Sequence, residues 1–192
     1  KRLFIVMHKK HTFRHIYDAL DDNDSELAIK YCDNHISNSD KYIDDCLEIK
    51  AQQLFELGRY DEAQVIYEQK QDDSTCQWAS IGLGKIYLIK KQYDKAAKVF
   101  SKILEEQPKY IAAYEWLAKS YQALGDYDLA ENVLLRAIET SPRSINLVQQ
   151  YASICERNGH YEESVNAYKH TGHTRIQFAF IQLGKPLTHG TF

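Results

Sequence analysis

An all-helical fold assembled from repeats of about 34 residues is what this sequence predicts, and three observations carry the prediction. Apolar residues recur at spacings of three and four, while Val, Ile and Thr never build an alternating run of strand length. One phrase returns along the chain: LFELGRYDEAQVIYEQ at 54–69, LIKKQYDKAAKVFSKIL at 88–104, QALGDYDLAENVLLRAI at 122–138 and ERNGHYEESVNAYKHT at 156–171. Prolines are few, and Pro108 and Pro142 stand 34 residues apart, where helix boundaries are needed.

The repeat is anchored on the tyrosine after each turn: Tyr60, Tyr93, Tyr127 and Tyr161, at intervals of 33, 34 and 34 residues. Three places later stands a small residue (Ala63, Ala96, Ala130, Ser164), and four further on a large one (Tyr67, Phe100, Leu134, Tyr168). Leu54, Tyr87, Tyr121 and Cys155 come six places before each tyrosine. Small residues also recur at Ala51, Gly84, Ala118 and Ala152 in the helix before the turn. Two antiparallel helices approach closely only where one presents a small side chain to a large one, so this alternation predicts helix crossings. The turns carry Gly58, Gly125 and Gly159, with Lys91 substituting in the second of the four; glycine there supplies the left-handed backbone that ends a helix. Asp61, Asp94 and Asp128 fall in the first turn of each second helix, where the dipole favours a negative charge by roughly 0.3–1 kcal/mol.

This pattern resembles the tetratricopeptide repeat, a helix–turn–helix unit of 34 residues. The resemblance implies an all-α, right-handed superhelical solenoid of about five units, at about 9–43, 44–76, 77–110, 111–144 and 145–172. The first unit is the weakest: Ala28 and Cys32 keep the register, but Asn23 and Ser25 replace the turn glycine and the tyrosine. Residues 1–8 read as a linker helix from an upstream domain. Their apolar face (Leu3, Val6, Met7) continues through Phe13, Ile16, Tyr17 and Leu20, as in bacterial response regulators that join a receiver domain to tetratricopeptide repeats. Residues 173–192 read as a cap or tail. Ile176, Phe178, Phe180, Ile181 and Leu183 form an apolar cluster there, which predicts either a cap on the fifth unit or a homodimer through that end.

Composition narrows the function classes. The formal net charge is −3, so bulk charge points to neither nucleic acid nor an anionic membrane, and no apolar run reaches membrane-spanning length. Four scattered cysteines without a C-x-x-C pair suit reduced thiols, and with no leader pattern the chain reads as a cytoplasmic fragment. GLGK at 82–85 ends like a phosphate-binding loop, but Ile86 stands where magnesium needs Ser or Thr. His11 and His15 are spaced as a metal pair without the glutamate of a metalloprotease, and the acidic stretch 18–26 lacks the glycine and terminal glutamate of a calcium loop. No local nucleophile–base signature is present in the sequence, so the reading is a non-enzyme without cofactor or metal.

What remains is a binding scaffold. The resemblance implies that a partner peptide or helix lies along the concave face made by first helices. On that face the register puts Phe13, Tyr17, Gln52, Phe55, Trp78, Ile81, Lys85, Leu88, Ile89, Trp116, Lys119, Gln122, Gln149 and Ser153. The predicted contacts are Phe55, Trp78, Ile81, Lys85, Leu88, Trp116, Lys119 and Gln122. The two lysines suggest a ligand that is apolar with acidic flanks. Glu48 and Ile81 stand where the family's chaperone-binding members need Lys or Asn to clamp a terminal carboxylate. The alternative is an RNA-binding or enzyme-associated repeat module, which would need aromatics beside basic residues or a titratable cluster on the open face.

Overall fold

A computed structural model describes residues 13–38, 41–73 and 76–171. Among these are ten α-helices: α1 (Arg14–Asp21), α2 (Ser25–Asn38), α3 (Ile43–Glu56), α4 (Tyr60–Lys70), α5 (Gln77–Ile89), α6 (Tyr93–Glu106), α7 (Ile111–Leu124), α8 (Tyr127–Thr140), α9 (Ile145–Asn158) and α10 (Tyr161–Thr171). The linker expected at 1–8 and the cap or dimer end expected at 173–192 lie outside the described residues.

Two compact units divide the chain, Lys1–Ile86 and Tyr87–Phe192. In the first, α1 packs on α2, α2 on α3 and α3 on α4. In the second, the packing runs in the same neighbour-to-neighbour order from α6 to α10. The small residues of the repeat do the work assigned to them: Ala51, Ala63, Ala96, Ala130, Ala152 and Ser164 are fully buried, and so are Phe100, Leu134 and Tyr168 to within a percent.

The turns share one hydrogen-bonding scheme, which explains their sequence. In each, two backbone N–H groups bond back into the preceding helix: Gly58 to Phe55 and Arg59 to Leu54, then Lys91 to Leu88 and Gln92 to Tyr87. Gly125 and Asp126 bond to Gln122 and Tyr121, and Gly159 and His160 to Glu156 and Cys155. The same pair of bonds closes the divergent first turn, from Asn23 to Leu20 and Asp24 to Ala19. Such bonds satisfy helix-end carbonyls only if the residue between them is left-handed. All five are, with φ of 76°, 86° and 84° at the glycines, 57° at Asn23 and 58° at Lys91. Asn takes this conformation at less cost than Lys, so of the five turns the Lys91 turn is the most strained.

Connections into the next pair are also regular. Tyr110 N–H bonds to the Gln107 carbonyl and Ser144 N–H to that of Ser141, each closing a β-turn with proline second. Proline fits that position because its φ is already set. Ser144 then caps α9, its Oγ accepting from Leu147 N–H at 3.4 Å. Asp24 caps α2 in the same manner, accepting from Leu27 N–H at 3.0 Å. The acidic stretch is therefore a helix–helix turn, as its composition suggested.

One expectation is corrected here. Phe13, placed by register on the open face, is 1% exposed and sits in a core with Ile16, Cys32 and Cys46. Its ring meets His35 and Tyr42 edge-on, with centroids at 5.0 and 5.6 Å. The first repeat departs most from the pattern, and there the aromatic joins the core instead of the open face.

Candidate functional site

In the first unit, two helix faces and one buried ring enclose a cleft of about 290 Å³. Glu48, Gln52, Phe55 and Glu56 on α3 form one wall, at the spacings of four and three that align side chains on one helical face. Trp78, Ile81, Gly82 and Lys85 on α5 form the other by the same arithmetic. The floor is the ring of Tyr67 from α4. Gly82 makes that floor: a Cβ there would lie 2.2 Å from the Tyr67 ring, so only glycine lets the ring sit against α5.

Four of the eight predicted contact residues, Phe55, Trp78, Ile81 and Lys85, are thus brought together in one cleft. All four are half-buried. Trp78 meets Tyr67 edge-on at 6.0 Å and Phe55 meets Tyr60 at 5.3 Å. The other four, Leu88, Trp116, Lys119 and Gln122, belong to the second unit. There Trp116 stacks on Phe100 at 6.3 Å, and the Lys119 ammonium stands 4.3 Å from the centre of the Trp116 ring. Leu88 and Gln122 are half-buried, on α5 and α7.

The charge of the cleft is not what its lysine alone suggested. Two carboxylates, Glu48 and Glu56, face one ammonium, Lys85. Burial, and then the fields of Glu48 and Glu56, push the Tyr67 hydroxyl up to about 12. Glu56 accepts from the side-chain amides of Gln52 at 3.1 Å and Gln53 at 3.4 Å. The cleft therefore carries more carboxylates than ammonium groups beside its apolar and aromatic walls.

Sequence reasoning missed Gly82, a second cleft and the clusters of ionisable groups. Gly82 was passed over for Gly84, which holds the repeat register, although both are buried within α5. The GLGK stretch, which the sequence already sets against a phosphate loop, is helical throughout. The second unit also holds a cleft of about 570 Å³ lined by Leu135 and Ile138 of α8, Val148 and Tyr151 of α9, and Ala167 of α10. Much of its lining comes from second helices, which the resemblance sets apart from the ligand face. Clusters of ionisable groups need tertiary structure to see. Glu131, only 9% exposed on α8, takes the His160 Nδ1 at 3.0 Å and the Asn158 amide at 3.0 Å, while that amide also donates to Asp128 at 2.7 Å. The hydrogen bond to Glu131 and its charge raise the His160 pKa. Asp44, Asp73 and Cys76 bring three ligand-type atoms within 4.8 Å of one another, and the Lys70 ammonium lies 2.6 Å from Asp44. Lys70 thus supplies positive charge at that cluster itself, and its own pKa is raised by the Asp44 hydrogen bond first.

All four cysteines are free and buried. The Cys32 thiol is pushed up by a hydrogen bond with Cys46 and by burial, and burial pushes Cys155 up to about 12. Cys32 and Cys155 have no exposure, and they sit at the core positions that their register implied.

A scan against family models matches the tetratricopeptide repeat at residues 54–119 and 88–154, together 54–154 and more than half of the 192 residues. The chain belongs to the tetratricopeptide repeat family. Solved structures agree on the fold. A tetratricopeptide repeat protein from Parabacteroides merdae ATCC 43184 superposes with a TM-score of 0.77 at 17% identity, covering 92% of this chain and 73% of that one. MamA 41-end from Desulfovibrio magneticus RS-1 superposes at 0.73 and 18% identity, over 89% of this chain and 96% of its own. At such identities the likeness concerns the fold, the all-helical tetratricopeptide solenoid, and not a ligand. No curated protein matches the sequence at a significant level. Among the described residues no helix is long and apolar enough to cross a membrane.

Proposed function

We propose that the chain is a non-enzymatic, cytoplasmic interaction scaffold that holds a peptide segment or helix of a partner protein against its first helices. The cleft between α3 and α5 is the observation that carries this reading. Its walls are first-helix faces, its aromatic side chains are half-buried rather than spent in the core, and its floor is fixed by the Gly82–Tyr67 contact. Concave apolar sites with a few convergent polar groups are the usual form of a binding site. Trp78 and Phe55 are the anchors, since aromatic residues dominate the energetics of such contacts. Ile81 and Lys85 complete the contact in the first unit, with Leu88, Trp116, Lys119 and Gln122 serving the second. A role as the output or adaptor part of a signalling protein extends this reading, motivated by the apolar face of residues 3–20 alone.

Selection of a displayed random peptide library on the full chain tests the scaffold reading. A selected peptide should lose about tenfold or more in affinity for Trp78→Ala, with the helical circular dichroism unchanged. Wild-type affinity in both Trp78→Ala and Trp116→Ala would overturn the assignment of the ligand to these faces.

A further inference from the structure

The two tryptophans of the chain differ in what covers them. Trp116 carries the ammonium of Lys119 on its ring at 4.3 Å, and Tyr87, Tyr114 and Tyr42 likewise have Lys95, Arg136 and Lys41 within 5.7 Å of their ring centres. Trp78 has the edge-on contact of Tyr67 and, among the described residues, no cation over it. Beside it, Glu56 has two amide donors, Gln52 and Gln53, and among the described residues no ion-pair partner. The cleft thus joins an indole ring without a cation to a carboxylate without one, with Glu48 adding a second negative charge against Lys85.

Resting on the scaffold reading, we propose that this cleft takes one cationic side chain, the guanidinium or ammonium of an Arg or Lys in the partner segment. The cation lies over the Trp78 indole, with its charge toward Glu56 and its aliphatic stem along Phe55 and Ile81. Cations prefer the face of Trp to that of any other ring, and their stems cover apolar surface well. The Tyr67 ring supports the same site from below, since its hydroxyl already stands in the combined field of Glu48 and Glu56. Lys85 sets the register: it disfavours a second basic residue next to the first. The lining implies a lone basic residue between apolar neighbours, not a polybasic run.

The test titrates the full chain, labelled with ¹⁵N, with two blocked tripeptides, acetyl-Leu-Arg-Leu-amide and acetyl-Leu-Glu-Leu-amide. The readout is the Trp78 indole N–H resonance, assigned by its persistence in Trp116→Phe. The arginine peptide should shift it saturably and bind about tenfold tighter than the glutamate peptide, the sum of a cation–π contact and an exposed ion pair. Glu56→Gln should cut that preference about threefold while leaving the helical signal unchanged. Equal response to both peptides, or preference for glutamate, overturns the cationic ligand and leaves the scaffold reading standing. A Trp78 resonance that neither peptide moves overturns both.

Discussion

Gly82→Ala adds one methyl group at the point where fold and cleft meet, and its cost can be worked from the structure. The added Cβ would stand 2.2, 2.4 and 2.5 Å from three carbons of the Tyr67 ring. Ordinary carbon contact begins at about 3.5 Å, so the ring must retreat by about 1.3 Å. The obstacle is one rigid ring and not a flexible chain end, and Tyr67 is itself only 6% exposed. That places the overpacking cost near the upper part of its usual range, about 3 kcal/mol. Alanine returns about 1 kcal/mol of helix propensity, leaving a net loss of about 2 kcal/mol. With a urea slope of about 2 kcal/mol per molar, the unfolding midpoint followed by circular dichroism should fall by about 1 M. The Trp78 fluorescence should change as well, since that indole leans on the displaced ring. A second arm isolates the cause. In a Tyr67→Leu background the ring is gone, so Gly82→Ala should be neutral or stabilising, giving strong coupling in a double-mutant cycle. An unchanged midpoint in the wild-type background, or the same loss in both, would refute the argument that Gly82 is there to seat Tyr67.

Three further outcomes are expected. Ala130→Leu, at a position with no exposure, should lower the urea midpoint by an amount equivalent to about 1–3 kcal/mol; an unchanged midpoint would contradict the close crossing read from the repeat. Lys91→Gly should raise stability by about 0.5–1 kcal/mol, because it relieves a left-handed non-glycine residue at φ 58° at the cost of some backbone entropy; a lower midpoint would show that the lysine side chain earns its place. His160 has its pKa raised above 6.5 by Glu131, so its contribution is full below that value and disappears as pH climbs through the raised one. Urea midpoints at about pH 6 and about pH 8 should therefore differ more in wild type than in His160→Gln, and identical differences would place the proton elsewhere.

The fold was legible because a repeat states each structural requirement several times. A single Tyr–x–x–Ala means little, but Ala63, Ala96 and Ala130 at fixed distances from a turn repeat one steric demand, and all three are fully buried. The same redundancy explains the divergent first turn. Asn23 holds the glycine position without being glycine, and it adopts the same left-handed backbone with the same two hydrogen bonds. Where the repeat is weakest, the register failed: Phe13 went to the core, since nothing in a 34-residue pattern says which way an isolated aromatic of an atypical unit will turn. Sequence could also place Trp78, Ile81 and Lys85 on one face, because that follows from helical spacing within α5. It could not place Glu56 and Tyr67 opposite them, because those arrive from α3 and α4.

That division between spacing and packing bears on what the cleft can select. Residues that repeat, such as Ala96 and Leu134, answer to the neighbouring helix and are interchangeable among units. Residues that break the repeat answer to something else. Gly82 stands outside the small-residue register held by Gly84, yet its missing side chain lets a core tyrosine become the floor of a surface cleft. Trp78 has no counterpart in the register of Trp116, and only Trp116 is supplied with a cation by the chain itself. Glu56 closes the same wall with a charge that the fold does not pair among the described residues. Three residues at positions that the repeat leaves variable, from two helices, thus converge within one cleft of about 290 Å³. A solenoid could be built without any of them, and the seat of Tyr67 costs α5 about 1 kcal/mol of helix propensity at Gly82. Under the proposed scaffold reading, a ligand that touches Trp78 and Glu56 above the Tyr67 floor would give these three residues one shared physical role.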